Sequence, residues 1–222
     1  MKTIETSLAH RILIPSGEGP HPGLVLLHGR GADENDLLGL SEYLSDRLFI
    51  MSVRAPFPFP YGGGYTWYDV GQIGTPEPGM FTASYEKLTQ FLDDALKQYP
   101  IDAGNLFLLG FSMGTVMSFA LALTHPSRFR GVSANSGYVP EGTHLTFDWQ
   151  NLSGLQVLIT HGEQDPVIPV DFARRARQLF SHSTAQVTYR EYQAAHHLSD
   201  ESLTDITTWM NNLIEQPSSP HA

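Results

Sequence analysis

The stretch LFLLGFSMGTVMSFALAL, residues 106–123, decides how the rest of the chain is read. Residues 106–109 form a short apolar run, as a buried strand does. Residues 115–123 form a helical stretch. Gly110-Phe111-Ser112-Met113-Gly114 joins the two, which leaves very little chain for the turn. Glycines on both sides of Ser112 let strand and helix cross without Cβ clashes and hold the hydroxyl out on the turn. A serine hydroxyl is a poor nucleophile unless it is exposed, held and deprotonated by a base. The five-residue pattern also arises by chance, and its strand-turn-helix context is what makes Ser112 a candidate nucleophile.

Working outward, the same alternation continues. Residues 24–27, 49–53 and 157–160 read as buried strands, and residues 131–135 and 187–192 as weaker ones. Between them, Leu88, Phe91, Leu92, Ala95, Leu96 and Tyr99 share one helical face. Phe172, Ala176, Leu179 and Phe180 do likewise, as do Leu203, Ile206, Trp209, Met210, Leu213 and Ile214. Ser199 is a candidate N-cap for the last helix, with Asp200 and Glu201 in its first turn. Strand-helix alternation implies an α/β class, with a mostly parallel central sheet and helices on both faces. Catalytic groups on such sheets lie at the C-terminal strand ends. Residues 54–80, with five prolines and the run Gly62-Gly63-Gly64, and residues 138–153 read as long irregular segments. We expect one domain over residues 1–215 and a disordered Pro/Ser-rich tail over 216–222.

Composition narrows the function. Thirteen Lys and Arg stand against 23 Asp and Glu, a net charge of −10. That balance argues against nucleic acid or anionic lipid as a main partner. Without cysteine, disulfides, thiolate zinc sites and a Cys nucleophile are excluded. No membrane span and no leader pattern is visible, so a cytoplasmic location is the expectation. Gly62-Gly63-Gly64 lacks the Gly-Lys-Ser/Thr of a phosphate loop. The ten histidines show no zinc spacing, and no metal or cofactor is expected. Arg174, Arg175 and Arg177 read as the solvated face of a helix.

Three further motifs follow strands. His28-Gly29-Arg30-Gly31 can supply a backbone N–H, from Arg30, to an oxyanion; Met113, next to the nucleophile, supplies the other. The alternative is a plain turn with a core-facing His28. Residues 160–169, THGEQDPVIP, offer Asp165 as the carboxylate that orients a base, with Glu163 as competitor. His196 or His197, after the last strand, supplies the base. The order Ser, Asp, His is that of α/β-hydrolases. Phe57, Phe59, Tyr61, Tyr65 and Trp67 either line an acyl pocket or pack the loop; Phe57, Tyr65 and Trp67 are our candidates for substrate contact.

Taken in order, these motifs make the chain resemble the phospholipase/carboxylesterase family of α/β-hydrolases, which includes acyl-protein thioesterases and small bacterial carboxylesterases. The likeness runs from about residue 12 to 214 and includes Trp67-Tyr68-Asp69 after Arg54-Ala55-Pro56, and Tyr192 followed by a His. It implies an α/β-hydrolase fold; the chain length leaves no room for a separate cap domain. Relatives have a Ser three residues and an aromatic thirteen residues after the catalytic His, which Ser199 and Trp209 match if that residue is His196. Relatives commonly have Gly where this chain has Ala195, and the thioesterase branch has Leu where it has Arg30. The expected function is hydrolysis of short to medium acyl esters, a small-molecule substrate, through a covalent acyl-enzyme. Thioesterase or lysophospholipase action is the alternative, and a non-catalytic ligand-binding protein the remote one. A homodimer is compatible with the sequence.

Overall fold

In the computed structural model the chain is described over residues 3–216. All of the expected disordered tail except Gln216 lies outside the described residues. The core is a seven-stranded sheet. Its strands are β1 (His10–Leu13), β2 (His21–Leu27), β3 (Phe49–Val53), β8 (Ile101–Phe111), β9 (Gly131–Asn135), β10 (Gln156–Gly162) and β11 (Gln186–Tyr192). They lie in the order β1-β3-β2-β8-β9-β10-β11. Every pairing is parallel except β1 with β3.

Strand β1 was not anticipated. It is a four-residue antiparallel edge, too short for its two apolar residues to show a period. Strand β8 is longer than its apolar run because Asp102 to Asn105 lies in a register shift opposite Pro22 and Gly23. A bulge of this kind interrupts the hydrophobic pattern without ending the strand.

Successive strand residues face opposite sides of a sheet. Val25 and Leu27 of β2 therefore join one core with α1 (Pro78–Gln98), α2 (Met113–Thr124) and α3 (Asp171–Phe180). Leu24 and Leu26 join the opposite core with α4 (Asp200–Glu215) and a 3₁₀ turn at Leu38–Tyr43. Helix α2 is buried from Met113 through Leu123, as an all-round apolar helix must be. Glu77 caps α1 by accepting from the Gly79 and Met80 amides, and Ser199 caps α4 as its sequence implies. These caps set where the loops end and the helices begin.

Residues 54–80 are not wholly irregular. They hold two small hairpins, β4 (Phe57–Pro58) with β5 (Tyr65–Thr66), and β6 (Val70–Gln72) with β7 (Thr75–Pro76). Val70 and Ile73 of this segment, with Tyr138, share a cleft with Ser112, just past the C-terminal end of β8. Among the described residues there is no separate cap domain, and no helix is long and apolar enough to cross a membrane.

Candidate active site

Ser112 sits between β8 and α2 at φ 55° and ψ −118°, a conformation that L-residues rarely adopt. Two glycines make the turn possible. A Cβ on Gly110 would lie 2.4 Å from the Gly114 carbonyl carbon, and one on Gly114 would lie 1.8 Å from the Leu27 carbonyl oxygen. The amide of Ser112 donates to the Asn135 carbonyl at 2.9 Å, which ties the turn to β9.

A buried polar cluster lies behind the turn. Asn135 Nδ2 donates to the Gly110 carbonyl at 2.9 Å, and the Thr160 hydroxyl donates to Asn135 Oδ1 at 2.7 Å. Thr115 Oγ1 accepts from the Asn135 amide at 2.8 Å. Each member is satisfied, so the cluster is rigid rather than costly. Sequence reading passed over Asn135 and Thr115. The only signal was an asparagine closing a strand, β9, of otherwise small residues.

Three side chains from distant parts of the sequence meet at the turn. His196 Nε2 lies 3.0 Å from Ser112 Oγ, and His196 Nδ1 lies 2.7 Å from Asp165 Oδ2. A carboxylate only accepts, so Nδ1 carries the proton and Nε2 offers its lone pair to the hydroxyl. Asp165 is held by its own loop: Oδ1 accepts from the Val167 and Ile168 amides, both at 2.8 Å. That leaves Oδ2 for the imidazole. Glu163, the competitor, is exposed and bonded to Gln193 instead. His197 is exposed, and the contacts to Asp165 and Ser112 are made by His196. Phe111 packs against the His196 ring, with centroids 5.0 Å apart.

Two features bring the His196 segment in. Gly162 passes so close that a Cβ there would lie 2.3 Å from the Ala194 carbonyl oxygen. Ala195 is not among the residues at positive φ, so its Cβ fits where relatives have glycine. His161 lies against Asp165 from the other side. Its Nε2 is 2.7 Å from the Ile168 carbonyl and 3.3 Å from Asp165 Oδ2, and burial pushes this imidazole toward the neutral form.

The Arg30 and Met113 amides find no protein acceptor among the described residues. The loop bearing Arg30 is fixed on all sides. Gly31 N–H donates to the Tyr65 carbonyl at 2.8 Å. Glu34 is bound by Arg54 through two contacts of 2.5 Å, and Arg54 also reaches the Tyr65 hydroxyl. His28 faces inward: Nε2 accepts from the Ala55 amide at 3.0 Å and Nδ1 donates to the Gly29 carbonyl at 2.6 Å. Burial holds it neutral. The core-facing reading of His28 and the oxyanion-loop reading are thus compatible. The Arg30 side chain is exposed, with its guanidinium over the Phe59 ring at 5.4 Å.

A family model for phospholipases and carboxylesterases matches residues 9–214. The chain belongs to the phospholipase/carboxylesterase family. As a member it is a serine hydrolase. It is 25% identical to acyl-protein thioesterase 1 of Candida albicans, over 92% of this chain and 98% of that one. A putative hydrolase of Bacillus subtilis is 22% identical over 86% of this chain and 93% of its own. In fold it is similar to a Bacillus cereus carboxylesterase, with TM-score 0.80 and 24% identity over 93% of this chain and 94% of that one. A Mesorhizobium loti carboxylesterase gives TM-score 0.81 and 22% identity over 94% and 96%.

In this family member a cleft of about 70 Å³ opens beside Ser112 and Met113. Its walls include Arg30, Tyr68, Val70, Tyr138 and Ile168. The aromatic residues singled out from the sequence are placed differently. Trp67 is fully buried, its Nε1 donating to the His28 carbonyl at 2.9 Å. Tyr65 braces the Arg30 loop, and Phe57 pairs in β4 with Thr66. Phe57, Tyr65 and Trp67 do not line the cleft; Tyr68, the neighbour of Trp67, does. A larger concavity of about 600 Å³ lies between Arg177 and Arg190 and touches none of these groups.

Proposed function

We propose that the protein is a carboxylesterase that cleaves short acyl esters through a covalent intermediate on Ser112. The observation that carries this reading is the hydrogen-bonded chain from Asp165 through His196 to Ser112, with two unused amides beside it. His196 Nε2 takes the Ser112 proton as Oγ attacks the ester carbonyl carbon. The oxyanion that forms accepts from the Arg30 and Met113 N–H groups. The intermediate collapses, the C–O bond to the alcohol breaks, and the alkoxide takes the proton from His196. Water, deprotonated by the same imidazole, then attacks the acyl-serine; the acyl–Oγ bond breaks, His196 returns the proton to Ser112 Oγ, and the carboxylic acid is released. Asp165 stabilises the imidazolium without taking its proton.

The cleft supports the short acyl end of the range. Its volume of about 70 Å³ is well under the roughly 300–1,000 Å³ of a pocket that takes up a drug-sized ligand. Acyl thioesters would pass through the same steps, and the thioesterase likeness at 25% identity keeps them as the second reading. The test is Ser112→Ala with a fluorophosphonate label. Loss of the nucleophile costs about 10⁶ in kcat in a serine protease. We expect turnover and labelling to vanish in a variant that melts like the parent. A folded Ser112→Ala protein with near-parental turnover refutes the reading.

A further inference from the structure

Two concavities meet the reacting groups, and they meet different ones. The cleft described above touches Ser112, Met113 and Arg30 but not His196. A second, open groove of about 550 Å³ touches His196 and not Ser112. It runs between the 3₁₀ turn at Leu38–Tyr43 and the start of α4, and its apolar walls are Leu37, Leu40, Tyr43, Phe111, Leu198 and Leu203. Phe111 is shared with the catalytic imidazole through their ring contact.

Resting on the esterase reading, we infer that this groove binds the leaving alcohol, and that it selects an apolar alcohol without negative charge. The reason is the route of the proton. When the intermediate collapses, the proton on His196 Nε2 must pass to the leaving oxygen, and that transfer needs hydrogen-bond reach. The carbonyl oxygen is meanwhile committed to the Arg30 and Met113 amides. The leaving oxygen therefore lies on the imidazole side, and whatever it carries extends past His196 into the groove. The acyl group, on the opposite substituent of the same carbon, falls into the small cleft. The site is thus asymmetric, with a narrow cleft for the acid and an open groove for the alcohol.

The lining sets the chemical class. Its apolar walls suit alkyl or aromatic alcohols. Its charged members are Asp36 and Glu42, and no Lys or Arg lines it. An alcohol bearing phosphate or carboxylate would meet like charge there, which disfavours phosphorylated leaving groups. Tyr43 is 63% exposed, so the groove is walled on one side by a side chain that solvent reaches freely.

The experiment uses two ester series on the intact protein. The first holds the acid as acetate and lengthens the alcohol from methanol to 1-octanol. The second holds the alcohol as methanol and lengthens the acid from acetate to octanoate. A fully buried methylene is worth roughly a fourfold gain; in an open groove we expect about twofold per carbon in kcat/KM along the first series. The second series should level off by about four carbons. Tyr43→Ala and Leu203→Gln should each lower the ratio of octyl to methyl acetate about tenfold, while Ile73→Ala, at the acyl cleft, should leave that ratio unchanged. The acetate ester of 4-hydroxybutanoate should be cleaved severalfold more slowly than butyl acetate, with Glu42→Gln narrowing the gap. A flat alcohol series, or groove variants that leave the ratio as it was, overturns the leaving-group site while Ser112 still labels. Absence of both labelling and acetate hydrolysis overturns the esterase reading and this inference with it.

Discussion

Gly114→Ala is a one-methyl change that tests how the site is built. Gly114 opens α2 where the helix crosses the end of β2, and its missing Cβ would lie 1.8 Å from the Leu27 carbonyl oxygen. Separations under 3.0 Å are essentially never seen for a Cβ, so helix and strand must part by about 1.2 Å. The obstacle is backbone in the middle of the sheet and cannot swing aside as a flexible side chain does. Overpacking costs about 1–3 kcal/mol. The upper end applies here, and for a domain of this size about 3 kcal/mol lowers Tm by roughly 6–12 °C. The residue before Gly114 is Met113, whose amide is one of the two proposed oxyanion donors. A misplacement of about 1 Å at a catalytic group costs on the order of 10²-fold, and full loss of one donor about 10²–10³. Gly114→Ala should therefore lose about 10²-fold or more in kcat, as well as melting early. Gly71→Ala is the control, because a Cβ there meets nothing within 4 Å; its Tm should stay within about 2 °C. The assays are calorimetry and p-nitrophenyl acetate hydrolysis well below the Tm. If Gly114→Ala matches the parent in Tm and lies within threefold in kcat, the crossing is not as tight as these distances require.

Three further outcomes are expected. His196→Ala should be as inactive as Ser112→Ala and the double variant no worse than either, because the groups act as a unit; His197→Ala should keep most activity, and steady-state kinetics on the four variants decides which histidine is the base. Stability should fall as pH drops below about 6.5: burial lowers His10, His28 and His161 in the folded chain, so the unfolded chain takes up protons first. Their contribution is full above the unfolded value and is lost as pH falls from there through the folded values; a Tm unchanged between pH 7.5 and 5.5 contradicts this. Across p-nitrophenyl esters from acetate to palmitate, below the micelle concentration, kcat/KM should peak between about C2 and C6, because the cleft beside Ser112 is narrow, and Arg30→Leu should shift the peak to longer chains. A steady rise to palmitate points instead to an open tunnel and the lysophospholipase or thioesterase reading.

Much of the chemistry could be read from local sequence, because each of its parts is a short motif pinned to a strand end. A residue at the C-terminal end of a parallel strand faces the same edge of the sheet as every other such residue. Ser112, Asp165 and the His196-His197 pair were therefore bound to converge once the alternation was recognised. The choice of His196 over His197 came from motif spacing. In the structure its cause is visible: Ala194 and Ala195 press against Gly162, and of the two imidazoles only His196 is held between Asp165 and Ser112.

What the sequence by itself determined was the alternation of buried strands and amphipathic helices, the tight serine turn and the order of its partners. These depend on spacing along one segment, and spacing is printed in the sequence. Tertiary structure alone decided which residues line the cleft beside Ser112. Trp67 and Tyr68 are adjacent aromatic residues, both fully buried. One hydrogen bond, from the Trp67 indole to the His28 carbonyl, ties Trp67 beneath the Arg30 loop and leaves Tyr68 to wall the cleft. The Asn135 cluster and the groove beside His196 are of the same kind, each assembled from segments far apart in the chain. A concavity has no pattern of its own in the sequence, because its walls are the sides that packing leaves uncovered.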